Sequence, residues 1–163
     1  MSMKPEEKKL REELIGAEDT ATFQQNYLVE AGAGAGKTYT MVRRIANHLV
    51  SGACEPENLV AITFTKKATE EMRGRLDSRL AELLDYAKNG ERDESGTKLS
   101  VDEKDRRVRR LTHLVRNAGR MQISTIHSFC QTMLSIMPFA SSLGPSAEFG
   151  EDEGANARTF FAR

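Results

Sequence analysis

The sequence predicts an α/β fold, a parallel sheet flanked by helices and built around a phosphate-binding loop. Two observations predict it. Short apolar runs alternate with amphipathic helical segments in the order strand, helix, strand, helix, helix, strand, helix. The first apolar run leads directly into Ala31-Gly32-Ala33-Gly34-Ala35-Gly36-Lys37-Thr38, a stretch of small residues that closes on Gly-Lys-Thr. In such an arrangement the connections that follow the strands gather at the carboxyl edge of the sheet, where ligands bind.

Residues 4–15 are predicted helical, with Pro5 at the start and acids in the first turn. Residues 16–25 read as a connecting loop. Tyr27, Leu28 and Val29 form a short apolar run ending in a glycine-rich segment, the pattern of a buried strand. From Thr38 to about Val50 the residues Met41, Val42, Ile45, Ala46 and Leu49 recur at helical spacing, and Ser51-Gly52 supplies the stop. Residues 59–64 (LVAITF) have the length and β-branched content of a strand. Thr65 is placed to cap the next helix, whose face is marked by Met72, Leu76, Leu80 and Leu83 and which runs to about Ala87. Residues 88–99 are polar and read as a surface loop. Ser100 and Glu103 have the spacing of a capping box, and the helix they open carries Val108, Leu111, Val115 and Ala118 on one face. Residues 121–124 are a strand candidate, residues 125–137 a helix stopped before Pro138. Residues 138–150 read as irregular, and an acid-led helix begins near Glu151.

Composition bounds the function classes. The chain has 163 residues, 39% of them apolar, which suffices for one domain with a core. Lys and Arg number 24 against 24 Asp and Glu, so any nucleic-acid surface must be a local patch. Cys54 and Cys130 are isolated, which argues against a zinc site and fits a reducing compartment. No apolar run approaches the ~18 residues of a membrane span. The charged N-terminus lacks the apolar core of a signal peptide. The expected location is cytoplasmic.

Within residues 31–38, small side chains let backbone N–H groups wrap around phosphate oxygens, and the following helix adds its positive end. Ala31 stands where the general pattern G-x-x-x-x-G-K-[ST] has its first glycine. Lys37 would place a point charge on the β/γ-phosphates, and the Thr38 hydroxyl would sit on Mg2+. The bland alternative is a Gly/Ala-rich turn with no ligand; the flanking strand and helix patterns favour the phosphate loop.

Two further segments narrow the class. Ala61-Ile-Thr-Phe-Thr-Lys-Lys-Ala-Thr-Glu-Glu-Met72 resembles motif Ia of superfamily 1 DNA helicases of the UvrD/Rep/RecB group. Ile123-Ser-Thr-Ile-His-Ser-Phe-Cys130 resembles that group's T-[IF]-H-S-F motif, and VEAGAGAGKT resembles its phosphate loop, including Ala at the first loop position. The forms look closest to RecB-like and AddA-like members of helicase–nuclease complexes. The resemblance implies the cofactors ATP and Mg2+, single-stranded DNA as a partner, and other subunits of a helicase–nuclease complex as further partners. It implies that residues 1–137 are the N-terminal part of a first RecA-like motor domain, with a helical excursion at about 85–120. Residues 138–163 would start a helical insertion.

The resemblance also assigns roles. Gly36, Lys37 and Thr38 hold nucleotide and Mg2+, with Lys37 and Thr38 the catalytic residues. Thr63, Phe64 and Thr65 face the single-stranded DNA groove, where Phe64 offers a stacking platform. Thr65, Thr125, Ser128 and His127 are placed to contact phosphates. Each has an alternative. Phe64 at a strand end is often core, His127 a helix-start residue, and Thr65 and Thr125 good N-caps whether or not DNA binds. Residues 101–120 hold seven Lys/Arg against three acids; a solvated face is favoured there over DNA contact.

The family's acidic motif, an apolar strand ending in Asp-Glu, is not found, nor is a second motor domain. Gln24 and Gln25 match its adenine-reading Gln by type only. The chain is therefore expected to be a fragment that binds nucleotide but hydrolyses it very slowly or not at all. The competing readings are another phosphate-loop enzyme, such as a nucleotide kinase, and a non-catalytic DNA-binding module.

Overall fold

Apolar stripes that can be buried, and helix ends that can be satisfied, decide where this chain becomes regular. The computed structural model describes residues 5–16, 26–30, 32, 34–90 and 98–136. Helix α1 spans Pro5–Ile15 and α2 spans Lys37–Ser51. Strand β1 follows at Val60–Thr63, then α3 at Lys66–Asn89 and α4 at Val101–Asn117. Strand β2 at Gln122–Thr125 runs straight into α5 at Ile126–Ile136. Short 3₁₀ turns at Pro56–Asn58 and Ala118–Arg120 precede the two strands.

The strands pair in parallel, with Val60 opposite Gln122 and Thr63 opposite Thr125. Parallel neighbours need a long crossover, and α3 and α4 provide it. Alternation sets the faces: Ala61 and Thr63 of β1 and Ile123 and Thr125 of β2 are buried, whereas Val60 and Ile62 remain about half exposed. On the buried side the α3 stripe of Met72, Leu76, Leu80, Leu83 and Ala87 joins Val42, Ala46 and Leu49 of α2 and Leu111 and Leu114 of α4 in one core. Truncating any of the fully buried leucines to Ala would cost about 2–5 kcal/mol.

The helix ends follow from local chemistry. Gly52, at φ 80°, closes α2 by donating its N–H to Leu49 O at 3.2 Å. Thr65 caps α3 by accepting from Ala68 N at 3.1 Å. Ser100 and Glu103 form the full capping box at α4.

Two expectations are corrected. Tyr27, Leu28 and Val29 form no strand; they are irregular and exposed, Leu28 to 89%. A strand needs a ladder partner, and among the described residues the sheet consists of β1 and β2 alone. On α4, Leu114 rather than Val115 lies in the core; both positions continue the stripe from Leu111, and α3 packs on the Leu114 side. The expectations for residues 17–25, 91–97 and 137–163 lie outside the described residues, among them Gln24, Gln25 and the helix near Glu151. Among the described residues no helix is long and apolar enough to cross a membrane.

Candidate functional site

The candidate phosphate loop is formed by the residues least able to resist a tight path. Gly34 and Gly36 sit at φ 77° and 82°, the left-handed region that side chains rarely adopt. Ala35 N donates to Gly32 O at 3.3 Å, and Thr40 N donates to Gly36 O at 3.0 Å, where α2 begins. Gly36 is the N-cap of α2; no side chain caps this end and its first turn carries no acid. The positive end of α2 is therefore not neutralised locally. Lys37 folds back along the loop, its Nζ donating to Gly32 O at 2.8 Å. A Cβ added at Gly32 or Gly34 would meet nothing within 4 Å, so there is room beside the backbone. A cation, an uncapped helix end and open space together fit a polyphosphate chain. Thr38 stands half-buried in the first turn of α2. Ala31 and Ala33 lie outside the described residues. The loop is carried by α2 and not hung from a sheet strand, since the preceding run forms none.

The second cluster lies at the carboxyl edge of the sheet. The parallel register sets Thr63 opposite Thr125, so Phe64 and Thr65, which follow β1, and His127 and Ser128, in the first turn of α5, leave the sheet at the same edge. Thr63 is buried, with its Oγ1 2.6 Å from Thr69 Oγ1 and donating to Thr65 O at 3.2 Å. Thr125 accepts from Ser128 N at 3.2 Å and donates to Ser128 Oγ at 3.0 Å, capping α5. Both hydroxyls are thus engaged in building the edge. Phe64 is 86% exposed, so it is not a core residue. His127 and Ser128 are exposed as well.

Three arginines make contacts that sequence reasoning does not reveal. Arg11 of α1 reaches the phosphate loop, donating from Nη2 to Ala35 O at 2.7 Å. Arg110 donates to Leu49 O at 2.9 Å, to Cys54 O at 3.0 Å, and from Nη1 to both Glu55 carboxylate oxygens at 2.7 and 2.9 Å. Arg110 belongs to the stretch expected to be a solvated face; its guanidinium is instead a clamp between α4 and the end of α2. Arg120 likewise pairs with Glu57 at 2.6 Å. Spacing along α4 and the turn after it carries no sign of the Glu55 and Glu57 partners, which lie more than fifty residues away.

Elsewhere among the described residues the titratable groups show no second centre. Burial, then Arg44, lowers the His48 pKa. Burial, then the Glu55 carboxylate, pushes the Cys54 thiol up, with Arg110 opposing, which disfavours a reactive thiolate. Among the described residues no group of three or more His, Cys, Asp or Glu could hold a metal ion.

A glycine-rich, lysine-bearing loop opens α2, and a parallel strand pair turns into helices at one edge, the elements of a mixed α/β domain. The chain belongs to the UvrD/REP helicase N-terminal domain family, which matches residues 16–154. It is 30% identical over 142 residues to the RecB component of the RecBCD enzyme of Chlamydia trachomatis, covering 82% of this chain and 14% of that one. It is 33% identical to RecB of Escherichia coli, covering 80% of this chain and 12% of the relative. It is also 33% identical to an ATP-dependent helicase/nuclease subunit from Thermoanaerobacter sp. (strain X514), covering 80% and 9%. The chain thus spans between 9% and 14% of the length of these relatives.

Proposed function

We propose that this chain is the ATP-binding part of an ATP-dependent DNA helicase or helicase–nuclease that acts on single-stranded DNA in repair or recombination. Residues 1–137 form the beginning of its first motor domain and residues 138–163 begin a helical insertion. Lys37 draws the β/γ-phosphates into the loop and neutralises part of their charge. Thr38 holds Mg2+ through its hydroxyl, and the N–H groups at the start of α2 bind phosphate oxygens. Bound Mg2+ supplies charge neutralisation between the phosphates. At the sheet edge Phe64 stacks on a base, and the backbone and hydroxyls at Thr65, Thr125 and Ser128, with His127, meet the DNA backbone. The names of the relatives, which include a component of a RecBCD enzyme, support further subunits as partners.

The observation that carries this reading is the loop itself: Gly34 and Gly36 in the left-handed region, with Lys37 turned back onto Gly32 O at the open end of α2. Calorimetric titration of Mg-ATP into the chain and into Lys37→Ala tests it. The parent should bind and the variant should not; equal binding by both overturns the assignment. The same preparation should show no DNA-stimulated ATP turnover, because the sequence holds no apolar strand ending in Asp-Glu to orient the attacking water.

A further inference from the structure

Helix α1 places a second cation on the phosphate loop. Its last turn leaves carbonyls without intrahelical partners, and side chains of α2 take them. Arg44 Nη1 donates to Leu14 O at 2.5 Å and Asn47 Nδ2 donates to Gly16 O at 2.6 Å. Gly16, at φ 70°, closes α1 with its N–H shared between Glu12 O and Glu13 O, both at 3.1 Å. These bonds dock α1 on the helix that the loop opens, and the docking sets the position of Arg11. Its Nη2 donates to Ala35 O at 2.7 Å. Both terminal nitrogens lie 3.5 Å from the point a Cβ on Gly36 would occupy, so the guanidinium packs against the bare face of that glycine.

A neutral donor would satisfy Ala35 O. Arg11 instead brings a full charge and five N–H donors, and among the described residues no carboxylate pairs with it and Ala35 O is its one hydrogen-bond acceptor. Lys37 reaches the loop at Gly32 and Arg11 reaches it at Ala35 and Gly36, so the two cations bracket its turn. Arg11 precedes residues 16–154, the stretch shared with the family, so the family motifs do not account for it. We infer that Arg11 is a second binding residue for the phosphate chain of the nucleotide, acting with Lys37. This inference rests on the nucleotide-binding reading above.

The test titrates the 163-residue chain and its Arg11→Gln, Arg11→Lys and Lys37→Ala variants with Mg-ATP, Mg-triphosphate and adenosine. Gln keeps an N–H donor for Ala35 O but removes the charge. Arg11→Gln should weaken ATP and triphosphate by about ten-fold or more, as expected for a lost charge-assisted hydrogen bond, with the difference shrinking at high salt. Arg11→Lys should recover part of the affinity, and adenosine should not distinguish the variants. If Lys37→Ala loses ATP while Arg11→Gln binds like the parent, the inference fails and the nucleotide reading stands. If Lys37→Ala also binds like the parent, the reading beneath it fails. A loss in Arg11→Gln that is insensitive to salt and not restored by Lys makes Arg11 a brace for the loop and overturns the phosphate role. Should Arg11→Gln melt well below the parent, Arg11→Lys decides: affinity above the Lys37→Ala level supports the inference, and affinity at that level overturns it.

Discussion

Thr63 and Thr125 stand opposite each other as the last pair of the parallel ladder, and each begins the turn into a helix. Thr125 caps α5 directly through Ser128 N. Thr63 binds its hydroxyl to Thr65 O and Thr69 Oγ1, bracing the turn in which Thr65 caps α3. Two helix N-termini are thereby fixed side by side at one sheet edge. Between the last residue of β1 and the cap of α3 only Phe64 remains, and its ring lies outside the core.

The position of Phe64 separates two effects that truncation would otherwise mix. A core Phe cut to Ala costs roughly 3–5 kcal/mol, but Phe64 is 86% exposed. Phe64→Ala should leave the melting temperature almost unchanged, since surface replacements usually fall within about 0.5 kcal/mol. Affinity for single-stranded DNA should drop by roughly ten-fold, because one stacked base contributes about 1–3 kcal/mol. Fluorescence anisotropy with a labelled oligonucleotide at low salt checks this; unchanged affinity in a folded variant removes Phe64 from the DNA surface.

Much of this architecture is legible in the sequence because its signals are local. The α3 stripe, the Ser100 capping box and the Gly52 stop are each written within a few residues, and each appears where spacing puts it. So do the β1 and β2 strands, whose common register then unites two motifs about sixty residues apart. What the sequence hides depends on partners distant along the chain. Tyr27, Leu28 and Val29 have a strand's composition, yet composition cannot supply a neighbouring strand. Arg110 has the neighbours of a solvated residue, and only the packing of α4 against α2 shows that it meets Leu49 and Cys54 carbonyls. Arg11 becomes visible only once α1 is docked.

The capping box makes α4 sensitive to acid. Glu103 Oε2 accepts from Ser100 Oγ at 2.6 Å and from Ser100 N at 3.0 Å, while Ser100 Oγ accepts from Glu103 N at 3.3 Å. The hydroxyl bond first, then the backbone one, holds the Glu103 carboxyl below its ordinary value. A depressed folded pKa stabilises above the unfolded value, about 4.3 for Glu, and that stabilisation is lost as pH falls through the folded value. Glu103→Ala should therefore melt below the parent at neutral pH, and the gap should close under acid conditions well below the ordinary Glu value. Ser100→Ala should cost about 1 kcal/mol at neutral pH. Melting curves across pH check both; a parent-to-Glu103→Ala gap that ignores pH would show that the carboxylate charge contributes nothing to the cap.

Arg110 distinguishes a structural clamp from a DNA contact. Its side chain is 20% exposed, and its guanidinium serves Leu49 O, Cys54 O and Glu55 together. The Glu55 side chain is 45% exposed, so the ion pair alone contributes little. The two carbonyls matter more, because they end α2 and begin the turn into β1. Gly52 N also reaches Leu49 O, at 3.2 Å, so the loss of Arg110 would fall mainly on Cys54 O. Removing a charged donor from part-buried acceptors costs about 1.5–3 kcal/mol. Arg110→Ala should accordingly lower the melting temperature by roughly 5–10 °C for a folded region of this size. Arg110→Lys should restore little, since one ammonium cannot span the carbonyls and the carboxylate as the planar fork does. A phosphate contact would behave in the opposite way: uniform loss of DNA affinity, a salt slope shallower by about one, and an unchanged melting temperature. Melting and salt-dependent DNA titration of the same two variants decide it, and a stable Arg110→Ala with weakened, less salt-dependent DNA binding would overturn the clamp.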